Sequence, residues 1–181
     1  MNAIIVVIMG VAGAGKTTVG QVLATELGCA FLDADSLHSP ENIKRMTDGV
    51  PLTDADRAPW LTAVHGRIVH SFQVHEGLVV ACSALKQRYR ETLARGLAIT
   101  WVYLRGSEET IRARLQLRQH HFMTAQLLAS QFADLEEPTG AIVVDVVVEP
   151  AVAVSQILNG LTLAPANAGE NQGRSSLPCG A

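Results

Sequence analysis

Gly10-Val11-Ala12-Gly13-Ala14-Gly15-Lys16-Thr17 fits the pattern G-x-x-x-x-G-K-[ST] and follows at once on an apolar run over residues 4–9. That run reads as a buried strand. Residues 17–27 read as a helix, with Val19, Val22, Leu23 and Leu27 along one stripe and Gly28 as its stop. Strand, glycine-rich turn and helix in this order make a phosphate cradle. The glycines let backbone N–H groups converge on phosphate oxygens, Lys16 reaches the β and γ phosphates, and Thr17 offers a hydroxyl to Mg²⁺. The positive end of the helix dipole adds to the attraction. The expected ATP contacts are therefore Gly10, Val11, Ala12, Gly13, Ala14, Gly15, Lys16, Thr17 and Thr18. A bare turn has no use for a lysine and a hydroxyl after the last glycine, so the stretch predicts a nucleotide site. It does not name a reaction, because kinases, GTPases and motor ATPases share such a loop.

Four more apolar runs, over residues 30–32, 78–82, 99–104 and 141–145, have the length and continuity of strands buried on both faces. Helical patterns lie between them: Trp60, Leu61, Val64 and Ile68 on one stripe, residues 110–117, residues 126–135 with Leu127, Leu128 and Phe132, and residues 150–158 opened by Pro150. The alternation predicts an α/β fold with a doubly wound five-stranded parallel sheet and its ligand at the carboxyl ends of the strands. Two connections are too long for simple crossovers. Residues 36–76 and 114–139 are expected to overhang the phosphate loop as a substrate-binding arm and a lid. The phosphate-loop domain would span residues 1–161. Residues 162–181, rich in Ala, Asn, Gly, Ser and Pro without periodicity, read as a disordered tail.

Composition narrows the classes of function. A chain of 181 residues with 48% hydrophobic and 17% charged residues describes one globular domain. No apolar run approaches bilayer length, and the N-terminus shows neither a basic region nor a small-residue cleavage site, so the expectation is a cytoplasmic protein without membrane association. Cys29, Cys82 and Cys179 are widely spaced, which suggests neither a disulfide framework nor a zinc site. A net charge of −3 argues against a broad nucleic-acid surface, so an anionic substrate must be met by local Arg and Lys.

Phe31-Leu32-Asp33-Ala34-Asp35 places two carboxylates at the end of the second strand, both able to face the cleft if the strand ends between them. One can hold Mg²⁺ or its waters, and the other can accept the proton of an attacking hydroxyl. The third strand, Leu78-Val79-Val80-Ala81-Cys82-Ser83, lacks the acid that often ends it in nucleotide sites. Metal coordination is therefore expected at Thr17, with Asp33 as its acidic partner through water.

Further blocks then become specific. Leu32-Asp33-Ala34-Asp35-Ser36-Leu37-His38, Asn42 to Met46, Pro51 through Leu61, Cys82-Ser83-Ala84-Leu85-Lys86 with Tyr89-Arg90, and His121-Phe122 through Ser130-Gln131-Phe132 together resemble bacterial gluconokinase. The resemblance covers nearly all of the chain outside the tail, with the blocks in the family's order and spacing. It implies a P-loop fold of the nucleoside-monophosphate-kinase type, transfer of the ATP γ-phosphate to O6 of D-gluconate, a Mg²⁺ requirement and a homodimer.

The more distant shikimate kinases suggest roles at matching positions. Asp33 would serve the metal shell, and Asp35 would bind the acceptor hydroxyl and act as base. Arg57 would grip the gluconate carboxylate with its planar fork, with Lys86 and Arg90 as further candidates around the sugar acid and His38 lining its pocket. Lys16, Asp35 and Asp33 make up the expected catalytic set. In the lid, Arg114 and Arg118 stand four apart on one helix face, the first expected on adenine and the second on the phosphates. His120 stands where these kinases usually carry Gly, which would strain a lid turn needing positive φ by around 1 kcal/mol or more. The adjacent His120 and His121 do not share a helix face and have no third ligand, so a zinc site is rejected. Two alternatives stay open: another small-molecule kinase of the same fold, such as a shikimate kinase, and a nucleotide-binding regulatory module without turnover.

Overall fold

A computed structural model describes residues 3–117 and 125–163. Five strands, β1 (Ile5–Met9), β2 (Ala30–Asp33), β3 (Leu78–Ala81), β4 (Thr100–Arg105) and β5 (Ile142–Asp145), form one sheet in the order β2-β3-β1-β4-β5. All four pairings are parallel, with Val7 level with Val80 on one side and with Trp101 on the other. The central strand β1 is buried throughout, and its alternation divides the core in two. Val6 and Ile8 join the cluster that takes in Val19 and Leu23 of α1 (Lys16–Leu27), Ile111 of α5 (Glu108–Gln116) and Ile157 of α7 (Pro150–Leu163). Ile5, Val7 and Met9 join the opposite cluster, with Trp60, Val64 and Ile68 of α3 (Asp54–Gln73) and Leu93 of α4 (Gln87–Ala94). This is the doubly wound arrangement expected from the sequence.

Three segments depart from the sequence reading. The buried side of α1 is Val19, Gly20, Leu23 and Ala24, whereas Val22 is 38% exposed. Small residues replace the expected branched stripe because the helix sits close to the sheet: a Cβ at Gly20 would lie 2.6 Å from the Phe31 ring. Helix α3 begins at Asp54, six residues before Trp60. Thr53 and Asp56 form a reciprocal capping box that nucleates it, and Pro59 is absorbed in its second turn. The apolar stripe read from the sequence begins only at Trp60, because the six residues before it carry no large apolar side chain. Finally, α7 continues to Leu163, past the start of the expected tail. The remaining tail residues lie outside the described ones.

The long connection after β2 holds a 3-10 turn (Ala34–Leu37) and α2 (Pro40–Thr47) ahead of α3. Helix α2 has Ser39 as its N-cap, accepting from Asn42 N, and Pro40 in its first turn, where a missing N–H costs nothing. The other long connection contains α5 and α6 (Ala125–Asp134). The 3-10 turn, α2, α6 and the first turns of α3 contribute side chains to the cleft beside Lys16.

Candidate active site

The phosphate loop joins β1 to α1. Gly10, Gly13 and Gly15 adopt φ of 144°, 84° and 97°, which L side chains rarely reach, and a Cβ at Gly10 would meet Leu104 O at 2.8 Å. Lys16 opens α1, and its Nζ donates to Val11 O at 3.0 Å, so the ammonium curls over the loop. Burial pulls the Lys16 pKa below the usual lysine value, opposed by Asp35, Cys82 and Asp33.

Strand β2 ends at Asp33, between the two carboxylates. Asp33 Oδ2 accepts from Thr17 Oγ1 at 2.8 Å, while its Oδ1 accepts from Asp35 N at 3.1 Å and caps the 3-10 turn. One carboxylate thus ties the phosphate loop to the turn that carries Asp35. A hydroxyl paired with a carboxylate is oxygen-only chemistry, which fits Mg²⁺ held by one or two protein groups and completed by water and phosphate. Among the described residues there is no cluster of three or more His, Cys, Asp or Glu that could hold a metal.

Beside the loop lies a cleft of about 380 Å³, within the range of small-molecule sites. Ala12 and Lys16 form its phosphate end; Asp35, His38, Arg57, Tyr89 and Gln131 are its polar walls, with Leu52 and Leu127 among the apolar ones. His38 stacks on Trp60, ring centroids 4.4 Å apart, and Trp60 Nε1 donates to Ala34 O at 2.7 Å. Burial lowers the His38 pKa, Asp35 opposing the fall and Arg57 adding to it, which favours the neutral imidazole. Its Nδ1 is buried and has no hydrogen-bond partner among the described residues.

Arg57 stands where three elements converge. Its Nη1 donates to Tyr89 Oη at 3.0 Å on α4 and to Asp134 Oδ2 at 3.2 Å on α6. Lys86 Nζ bridges to the other oxygen of Asp134 at 2.9 Å and to Asp54 at 3.5 Å. Tyr89 Oη and Arg88 also bond Asp54. Tyr89 holds the Asp54 carboxyl below the usual range, with Lys86 and Arg88 adding to that shift, and the bond to Asp134 raises the Lys86 pKa. Three cations share two carboxylates here, and of the three Arg57 lines the cleft.

A second recess, of about 190 Å³, lies on the far side of the loop, lined by Gly15, Thr18, Arg114, Val146 and Pro150 among others. Arg114 donates to Val146 O, which lays its guanidinium along this recess.

The expected site residues are thus sorted. Lys16, Asp35, His38 and Arg57 line one cleft, Asp33 and Thr17 pair beside it, and Thr18 with Arg114 lines the second recess. Lys86 stands behind Arg57, sharing Asp134 with it. Arg90 does not reach the cleft. It is 5% exposed, and its guanidinium donates to Ala84 O, Leu85 O and Gln87 Oε1, because the turn after β3 leaves those carbonyls without strand partners. That turn holds Ala84 at φ 42°, and Arg90 clamps it. Arg118, His120 and His121 lie outside the described residues. Tyr89, Gln131 and Asp134 received no role from the sequence. Gln131 sits four residues after Leu127 and so shares its helix face, a spacing that could have marked it once Leu127 was placed at the cleft.

The sequence profile of the Shikimate kinase family matches residues 12–137. A gluconokinase of Gluconobacter oxydans is 51% identical over 134 residues, 73% of this chain and 75% of the relative. The chain belongs to the gluconokinase family. A gluconokinase structure from Sinorhizobium meliloti superposes with a TM-score of 0.79 at 42% identity, covering 88% of this chain and 91% of that one. An unliganded sugar kinase from Janibacter sp. gives 0.84 at 42% identity, over 91% and 97%. The five-stranded parallel sheet and its flanking helices are therefore those of a gluconokinase-family P-loop kinase.

Proposed function

We propose that this protein transfers the γ-phosphoryl group of ATP to O6 of D-gluconate, giving 6-phospho-D-gluconate and ADP. The observation that carries this reading is the joined cleft, with Ala12 and Lys16 at one end, Arg57 at the other and Asp35 between. ATP lies with its phosphates on Gly10–Thr17 and its base in the recess of Thr18, Arg114 and Pro150, with Arg118 completing the phosphate contacts from the lid. Arg57 receives the gluconate carboxylate as a planar fork, with Lys86 behind it through Asp134. His38, neutral and stacked on Trp60, offers a ring nitrogen to a sugar hydroxyl.

Asp35 accepts the proton of the O6 hydroxyl as O6 bonds to the γ phosphorus and the bond to the β-phosphate oxygen breaks. Lys16 neutralises charge along the transferring group. Thr17 and Asp33 would hold Mg²⁺, the latter through water. Bound there, the ion would supply positive charge to offset that of the phosphates. Residues 36–76 act as the substrate arm and 114–139 as the lid that excludes water. The active form is a cytoplasmic homodimer, and light scattering at twice the monomer mass is the expected result.

The reaction is tested by coupled ADP release across a panel of sugar acids with shikimate included. Gluconate should give the highest kcat/KM, and a higher rate with shikimate would overturn the assignment. ATP binding without gluconate-dependent ADP release would mark a regulatory module.

A further inference from the structure

Gln131 has a geometry that leaves no freedom in how its amide is oriented. Ala12 N donates to Gln131 Oε1 at 2.7 Å. A backbone N–H can only donate, so the atom facing it must be the amide oxygen, and the ambiguity that usually attends a glutamine side chain is removed. With Oε1 fixed against the phosphate loop, the planar group directs its NH₂ away from Ala12. No acceptor for Nε2 is found among the described residues, although Gln131 is half-buried and lines the same cleft as Lys16, Asp35 and Arg57. Two donors are therefore held in place, at the point where the phosphate loop meets the acceptor cleft.

The support behind this side chain is rigid. On α6, Leu127 and Gln131 stand four apart and line the cleft, while Asp134, three residues further on, fastens the helix to Arg57 and Lys86. The next segment is tied as well, since Leu85 O accepts from Glu136 N at 2.9 Å and Gln87 N donates to Glu136 Oε2 at 2.6 Å. Fixed donors beside a phosphate loop, backed by a braced helix, meet the requirement for electrostatic stabilisation of a group in transit: they need no reorganisation when charge moves onto the transferring oxygens.

We propose that Gln131 contacts the transferred phosphoryl group, its carbonyl end held by the Ala12 amide and its NH₂ end donating to a γ-phosphoryl oxygen. This inference rests on the phosphoryl-transfer reading above. It gives α6, within the 114–139 segment, a direct part in the reaction beyond covering the cleft.

Two substitutions separate this role from a mere tie between α6 and the loop. Gln131→Glu keeps an oxygen acceptor for the Ala12 N–H but removes both donors. Gln131→Met is neutral and of similar length, and removes acceptor and donors together. Steady-state kinetics with ATP and D-gluconate should show both variants losing about 10²-fold in kcat, with the gluconate KM within about threefold of the parent. The Gln131→Glu loss should shrink on acidification, as a protonated carboxyl regains one donor; the parent enzyme should show no such recovery. Retention of kcat by Gln131→Glu would reduce Gln131 to a structural tie. Retention by Gln131→Met would make the Glu effect one of charge alone. A loss that appeared as a raised gluconate KM would move the contact to the sugar acid. Each of these overturns the proposal. Failure of the parent enzyme to phosphorylate gluconate would instead overturn the reaction, so the two failures are distinguishable.

Discussion

The phosphate loop is made of eight consecutive residues whose backbone does the binding, whereas the acceptor cleft is assembled from side chains on the 3-10 turn, α2, α3, the β3–α4 turn and α6. The loop's shape is set locally, by three glycines at positive φ and the start of a helix. The cleft's shape is set at a distance, by ion pairs and stacking that join elements far apart in the chain. A site of the first kind tolerates little change within it and much around it. A site of the second kind can be altered through residues that never touch the ligand.

Variants that strike one region and spare the other should separate these two kinds of construction. The largest effect is expected from Lys16→Met, which removes the one cation inside the loop: kcat should fall by roughly 10³-fold or more with Tm close to the parent value. Near-normal turnover in a folded variant would break the assignment of the loop. Next comes Arg57→Ala, which should raise the gluconate KM by about 10–100-fold and leave the KM for ATP within about twofold. An effect confined to ATP would instead join Arg57 to the nucleotide half.

Smaller still is Asp134→Asn, which keeps the shape of the side chain but loosens both Arg57 and Lys86. A rise of about three- to tenfold in gluconate KM, with kcat little changed, would show that the cleft is set by residues behind it. An unchanged KM would show that Arg57 orients itself.

The smallest effect concerns His38. Burial lowers its pKa in the folded protein. A base with a depressed folded pKa binds its proton more readily when unfolded. Its contribution is therefore fully present above the unfolded value of about 6.5 and is lost as pH falls from there toward the folded value. The Tm of the parent protein should drop more than that of His38→Asn between pH 7.5 and pH 5, by a few degrees. Parallel curves would mean that the ring is hydrated after all.

The same contrast explains what the sequence made legible. The loop, the five strands and the Asp33–Asp35 pair could be read because each is contiguous and its period or spacing is dictated by local geometry. Asp35 and Arg57 were placed by family resemblance, and the structure brings them to one cleft with Lys16. Arg90 misled because a positive charge near an anion site looks the same in sequence whether it faces a substrate or three protein oxygens. Only the path of the β3–α4 turn, which brings the oxygens of Ala84, Leu85 and Gln87 to the guanidinium, decides between them. Asp134 went unmarked because its partners lie 48 and 77 positions away, at Lys86 and Arg57, and nothing local to α6 signals them. Thr53 and Asp56 stand at capping-box spacing, but the stripe read from the sequence begins only at Trp60.

The stack of His38 on Trp60 makes the acceptor cleft optically addressable. The chain has two tryptophans, Trp60 in the cleft wall and Trp101 on β4, away from it. Replacing Trp101 with Phe would leave a single indole whose emission reports on the adjoining imidazole. Titrating gluconate against that signal, with no nucleotide present, would measure occupancy of the cleft alone. The filling of the discontinuous half of the site could then be timed separately from the filling of the contiguous half.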